Sequence, residues 1–142
     1  MSNIKNPSNM GGRTKVESEI DGTSHENTNP NTEMQSQKIL ENTSSTSTYK
    51  INSIVACNKN NVNSSLISVG IKNANGVMSY LVKKMSIPVG FTHTISTRET
   101  YFYLEEDYAI CAAQTSSGDD GGLGVNNNAI SLLISYEEIV TS

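Results

Sequence analysis

The chain has 142 residues, 35% of them hydrophobic and 17% charged, with a net charge of −4, while Ser, Thr and Asn together number 50, as many as all the hydrophobics. This composition excludes an Ala/Glu/Lys/Leu-rich coiled coil, and the acidic balance argues against a nucleic-acid partner. No apolar run nears the roughly 20 residues of a membrane helix, and the opening MSNIKNPSNM lacks the apolar stretch of a secretory signal, so a non-secreted protein is expected.

Residues 1–34 stand apart. Residues 1–48 hold only eight hydrophobics and no aromatic, whereas residues 49–142 hold 42 hydrophobics and all eight aromatics. So sparse a segment cannot offset its ordering entropy by burial. It is therefore expected to be an extended arm, disordered in the isolated chain, that docks on a partner. Ile4, Met10, Val16 and Ile20 are spaced through polar sequence as separate anchors for such docking. Mixed charge along the arm gives no like-charge tail for nucleic acid.

Residues 35–142 read as a second unit made of strands. A weak strand is expected at Gln37–Glu41. A stronger one runs through Tyr49–Asn58, where alternation places Tyr49, Ile51, Val55 and Cys57 on one face. Ile67, Val69 and Ile71 form the next apolar comb. Asn75-Gly76 then marks a hairpin before Met78, Tyr80 and Val82. Pro88 and Gly90 break the chain ahead of Phe91, His93 and Ile95. Tyr101–Leu104, Tyr108–Thr115 and Ala129–Tyr136 supply the remaining strands, with Ile130, Leu132 and Ile134 opposite in face to Leu133. Seven or eight short strands without a helical period predict an all-β protein, an antiparallel β-sandwich of jelly-roll-like form.

Chemistry is sparse. His25 and His93 have no ligand-spaced neighbours, so no metal is expected. Cys57 and Cys111 read as buried free thiols. Asn42-Thr43-Ser44 and Asn63-Ser64-Ser65 match a glycosylation sequon that a non-secreted protein would not use. Ser116–Asn128, with four Gly, fits neither a calcium loop nor a phosphate loop. Glu105-Glu106-Asp107 reads as a solvated corner rather than paired catalytic carboxylates. No cofactor and no enzymatic activity are expected.

Four segments in order carry a resemblance: Ile51-Asn52-Ser53-Ile54-Val55-Ala56-Cys57-Asn58, then Tyr80-Leu81-Val82-Lys83-Lys84-Met85-Ser86-Ile87-Pro88, then Leu104-Glu105-Glu106-Asp107-Tyr108-Ala109-Ile110, and Ile134-Ser135-Tyr136-Glu137-Glu138-Ile139. The succession resembles small β-sandwich virion structural proteins of tailed bacteriophages, the cyanophage-type accessory proteins of head, neck or tail. It covers about residues 37–140, and Glu106 stands where that family has Gly. The resemblance implies a virion location, assembly in the host cytoplasm, other virion proteins (capsid, portal, neck or tail) as partners, and a homo-oligomer. The competing expectation is a carbohydrate- or receptor-binding module of a tail or fibre, because of Tyr101, Phe102 and Tyr103 at least one aromatic must point outward.

Overall fold

A computed structural model of the chain describes residues 12–17, 37–59, 64–116 and 130–140. Among them the strands are β1 (Gly12–Glu17), β2 (Gln37–Glu41), β3 (Ser47–Asn58), β4 (Ser65–Lys72), β5 (Met78–Ile87), β6 (Thr92–Ser96), β7 (Phe102–Leu104), β8 (Ala109–Ser116) and β9 (Ile130–Val140), with one 3₁₀ turn at Arg98–Thr100. The expected strands are all present. The addition is β1, which lies within the segment read as an unstructured arm.

The pairing is nested. β4 pairs with β5, β3 with β6 and β7, β2 with β8, and β1 with β9, every pair antiparallel. The chain from β1 to β9 is thus one long hairpin whose tip is the β4–β5 turn. Two further pairings, β9 with β3 and β8 with β4, roll that hairpin on itself. The result is two antiparallel sheets packed face to face, ordered β1-β9-β3-β6 with β7 also on β3, and β2-β8-β4-β5. The fold is an all-β sandwich.

Inward positions fill the space between the sheets. Ile51, Ile54, Ala56, Leu132 and Ile134 from the first sheet meet Ile39, Ile67, Val69, Ile87 and Ile110 from the second, all at most 4% exposed. Branched side chains dominate because they suit the pleat and lose little freedom in a strand. A smaller cluster lies on the other face of the second sheet, where Met78 packs with Ala109, Cys111 and Ala113. Gly70 makes room for it, since a Cβ there would sit 2.6 Å from Met78 Sδ.

Two expected faces are corrected. Tyr49 and Ile51 point inward as read, but the β3–β9 register shifts between Ile51 and Ser53. Ile51 and Asn52 are consecutively buried, and beyond them Ile54, Ala56 and Asn58 face the core. Val55 and Cys57 therefore turn outward, because a single-residue slip reverses every later side chain. β5 shifts register twice: at Leu81, since Gly70 faces Tyr80 and Val69 faces Val82, and again at Lys83-Lys84, since Ile67 faces Met85. Met78 and Tyr80 thus sit in the outer cluster while Val82 joins the main core.

The turns follow their residues. Gly76 adopts φ +82° and its N–H donates to the Asn73 carbonyl at 3.0 Å. The Asn73 side-chain oxygen accepts from the N–H groups of Asn75 and Val77, each at 2.9 Å. Asn42 closes the same end of the sandwich, since Glu41 and Lys72 both pair with Ala109. Fully buried, its amide donates to the carbonyls of Ser47 and Leu104, both at 2.9 Å, and its oxygen accepts from the Ser44 N–H. An asparagine so enclosed has no amide available for glycosylation. Asn63 lies outside the described residues.

Candidate partner-binding surface

The outward face of the first sheet is built from rows of directly opposed residues. Thr14 faces Ser135, which faces Ser53. One step along, Val16 faces Leu133, Leu133 faces Val55, and Val55 faces Thr94. Ser131, Cys57 and Thr92 form the next row. Val16 is 57% exposed and Leu133 42%. The middle row is therefore a short apolar stripe bounded by hydroxyls, crossing from the edge strand towards the sheet centre. Residues of this mix are well placed for contact with another protein, with apolar groups to desolvate and hydroxyls to pair at the rim.

Of the four residues expected to anchor the arm, Val16 belongs to this stripe. Ile4, Met10 and Ile20 lie outside the described residues. Leu133, the stripe's other exposed member, carried a sequence signal, since it is the one apolar residue out of step with Ile130, Leu132 and Ile134.

The inward positions of β1 are charged, occupied by Arg13 and Lys15 opposite Tyr136 and Ile134. Arg13 reaches Glu138 on β9 at 3.0 Å, and Glu138 also accepts a 3.1 Å hydrogen bond from the Ser47 hydroxyl. Burial, with the Glu138 carboxylate beside it, pushes the Tyr49 phenol above its ordinary pKa. The Tyr49 and Tyr136 rings pack at 5.0 Å nearby.

A second surface lies at the β7 end of the same sheet. Tyr101 and Tyr103 are about half exposed and meet edge to face at 5.8 Å, with Lys50 Nζ 4.5 Å from the Tyr101 ring centre. Phe102 between them turns to the core. The expectation of at least one outward aromatic is met twice.

The other candidate groups are dispersed. His93 is exposed on β6, and His25 lies outside the described residues. Glu105, Glu106 and Asp107 are exposed on a turn where Asp107 takes φ +63° and its N–H donates to the Asn42 carbonyl at 2.6 Å. Cys57 and Cys111 are free thiols, Cys111 buried as expected but Cys57 only half-buried because the bulge turned it outward. Residues 117–129 lie outside the described residues. Among the described residues no three His, Cys, Asp or Glu side chains gather as metal ligands, and no helix is long and apolar enough to cross a membrane.

No protein-family model and no curated protein sequence matches the chain. Among solved structures it is similar to a chain of the T13 viral particle of IBDV, at 13% identity and a TM-score of 0.43, over 92% of this chain and 36% of that one. Chains of the Gx and Gt strains of infectious bursal disease virus are similar at 13% and 9% identity, with TM-scores of 0.40 and 0.28, over 92% and 94% of this chain. This chain spans less than two fifths of each. TM-scores below 0.5 do not establish a common fold, so the architecture stands on the strand pairing described above.

Proposed function

We propose that the chain is a non-enzymatic structural subunit of a viral particle, held to neighbouring subunits by its N-terminal segment and the outer face of its first sheet. The observation that carries this reading is the nested strand order. A hairpin of four nested pairs, rolled into two four-lane sheets with β6 and β7 sharing one lane, supports reading the sandwich as a jelly roll. Jelly rolls recur in viral capsid proteins, lectins and cupins. The resemblance of four sequence segments to tailed-phage virion proteins favours the first of these, and within it a subunit that decorates the capsid or contributes to the head–tail neck. The partners are then other virion proteins and further copies of this chain.

Immunogold labelling tests the reading. Antibody raised against the chain should decorate intact particles purified from its source, at the head or the neck. Absence of the chain from purified particles, by labelling and by mass spectrometry, would sink it.

Tyr101 and Tyr103 favour a second reading, a carbohydrate-binding module, since exposed rings at a sheet end can stack on sugars. Lys50 already covers one ring face, which narrows the platform. A glycan-dependent change in tyrosine fluorescence that Tyr103→Ala abolishes would favour this reading over the first.

A further inference from the structure

From β1 and its acceptor we infer that Gly12–Glu17 is an exchangeable strand, which pairs with β9 of a second copy of this chain when copies are held together. This deepens the assembly reading and rests on it. Three observations carry it.

First, β1 is attached to β9 and to little else. Gly12, Arg13, Thr14 and Val16 are exposed and Lys15 is half-buried, so no side chain described on β1 enters the core. The ladder is made by backbone groups. Its one ion pair, Arg13 with Glu138, is also made to β9. The backbone ladder and the ion pair described for β1 thus both belong to β9, and β9 of a second copy offers the same set.

Second, β9 is built as an acceptor. The other strands at the sheet edges are blunted in ways that discourage pairing. β1 carries inward charges, β2 has a register shift and the Lys38–Glu41 pair, β5 has two register shifts and Lys83-Lys84, and β6 is five residues long. β9 runs for eleven residues, ISLLISYEEIV, with no Pro, Lys or Arg. Left without β1, its outer edge would present a row of unpaired backbone groups next to Leu132 and Ile134, which are at most 1% exposed.

Third, the tether permits exchange. Nineteen residues, 18–36, separate β1 from β2, and an extended chain of that length spans about 60 Å. Lengthening a loop adds closure entropy slowly, so own-chain pairing across nineteen residues keeps only the advantage of effective concentration, which for linked modules is on the order of millimolar. Copies packed side by side experience comparable local concentrations, so the two pairings compete. Reciprocal exchange gives a two-fold dimer, and one-way exchange gives a ring or row.

Val16 and Leu133 face each other and are both exposed, which supplies the test. In a Cys57→Ser background of the full chain, one preparation carries Val16→Cys and a second, size-tagged, carries Leu133→Cys. The two are unfolded together, refolded at high concentration and oxidised. Exchange predicts a disulfide-linked heterodimer, mapped by mass spectrometry to positions 16 and 133, whose yield rises with protein concentration. It also predicts that Val16→Cys mixed with Thr94→Cys, on the far strand of the same face, gives none above background. The single-chain double variant Val16→Cys/Leu133→Cys reports the pairing itself. An intrachain disulfide there, with no heterodimer from the mixture at any concentration, would overturn exchange. It would leave the virion reading intact, because that reading is decided by particle labelling.

Discussion

Asn42 shows how much one polar side chain fixes here. It ties the β2–β3 connection to the end of β7 through two buried hydrogen bonds, to the carbonyls of Ser47 and Leu104. Leaving buried carbonyls without donors costs about 1–3 kcal/mol apiece. Asn42→Ala should therefore lower the urea-unfolding free energy by about 3 kcal/mol. Asn42→Asp should be at least as damaging, since it keeps the acceptor for Ser44 but cannot donate. Equal stability of wild type and Asn42→Asp would show that the two donated bonds contribute nothing. Gly70 acts by absence instead. In Gly70→Ala the new Cβ would meet Met78 Sδ at 2.6 Å and the Ser79 carbonyl oxygen at 2.9 Å. Overpacking of this kind destabilises by about 1–3 kcal/mol. Adding Met78→Ala should recover only part of the loss, because the Ser79 carbonyl belongs to the paired strand; the double-mutant cycle in urea measures that fraction.

At the scale of elements, β3 is the organising strand, since it pairs with β9 along its length and with β6 and β7 on its other side. Its bulge at Asn52 lets one strand serve two registers, with Tyr49 and Ile51 inward before it and Ile54 and Ala56 inward after it. Tyr49 gives this region a pH signature. Its folded pKa is raised above the unfolded value by burial and by Glu138. The stabilisation is therefore fully present below the unfolded value of about 10, and is lost as pH rises through the higher folded value. Chemical denaturation across the alkaline range should show stability falling above about pH 10, with a shallower fall in Tyr49→Phe. Identical profiles would place the alkaline sensitivity elsewhere.

For the whole molecule, part of the unusual Ser and Thr content, six of 33 residues, has one location. Thr14, Ser53, Thr92, Thr94, Ser131 and Ser135 lie on the outward face of the first sheet, where hydroxyl side chains keep strand geometry while tolerating water or a partner. The core draws on residues 49–142, whose hydrophobic share is 42 of 94, ordinary for a globular domain. Deleting residues 1–34 removes β1, none of whose described side chains enters the core. Circular dichroism should still report a cooperative β-sheet melt, while light scattering detects association through the bared β9 edge, and incorporation into particles should be lost. Full incorporation of the truncated chain would refute docking by the N-terminal segment.

How much of this was legible beforehand differs by feature. Alternation and turn residues marked the eight strands from β2 to β9, because the period of two and the glycine at positive φ are local properties. The outward position of Leu133 could be read for the same reason. β1 was missed because its side chains carry no apolar alternation; backbone hydrogen bonds to β9 hold it, and those depend on a strand more than a hundred residues later. The bulges at Asn52 and Leu81 were missed because a bulge is settled between two strands, where sheet twist and core filling decide which residue is extra. The sequence by itself determined an all-β fold, with the apolar residues concentrated after residue 48. Only tertiary structure decided the nested order of the sheets, the Asn42 closure and the exposed stripe of Val16 and Leu133. Each of those is a contact between distant segments, formed by burial and hydrogen bonding that no local pattern records.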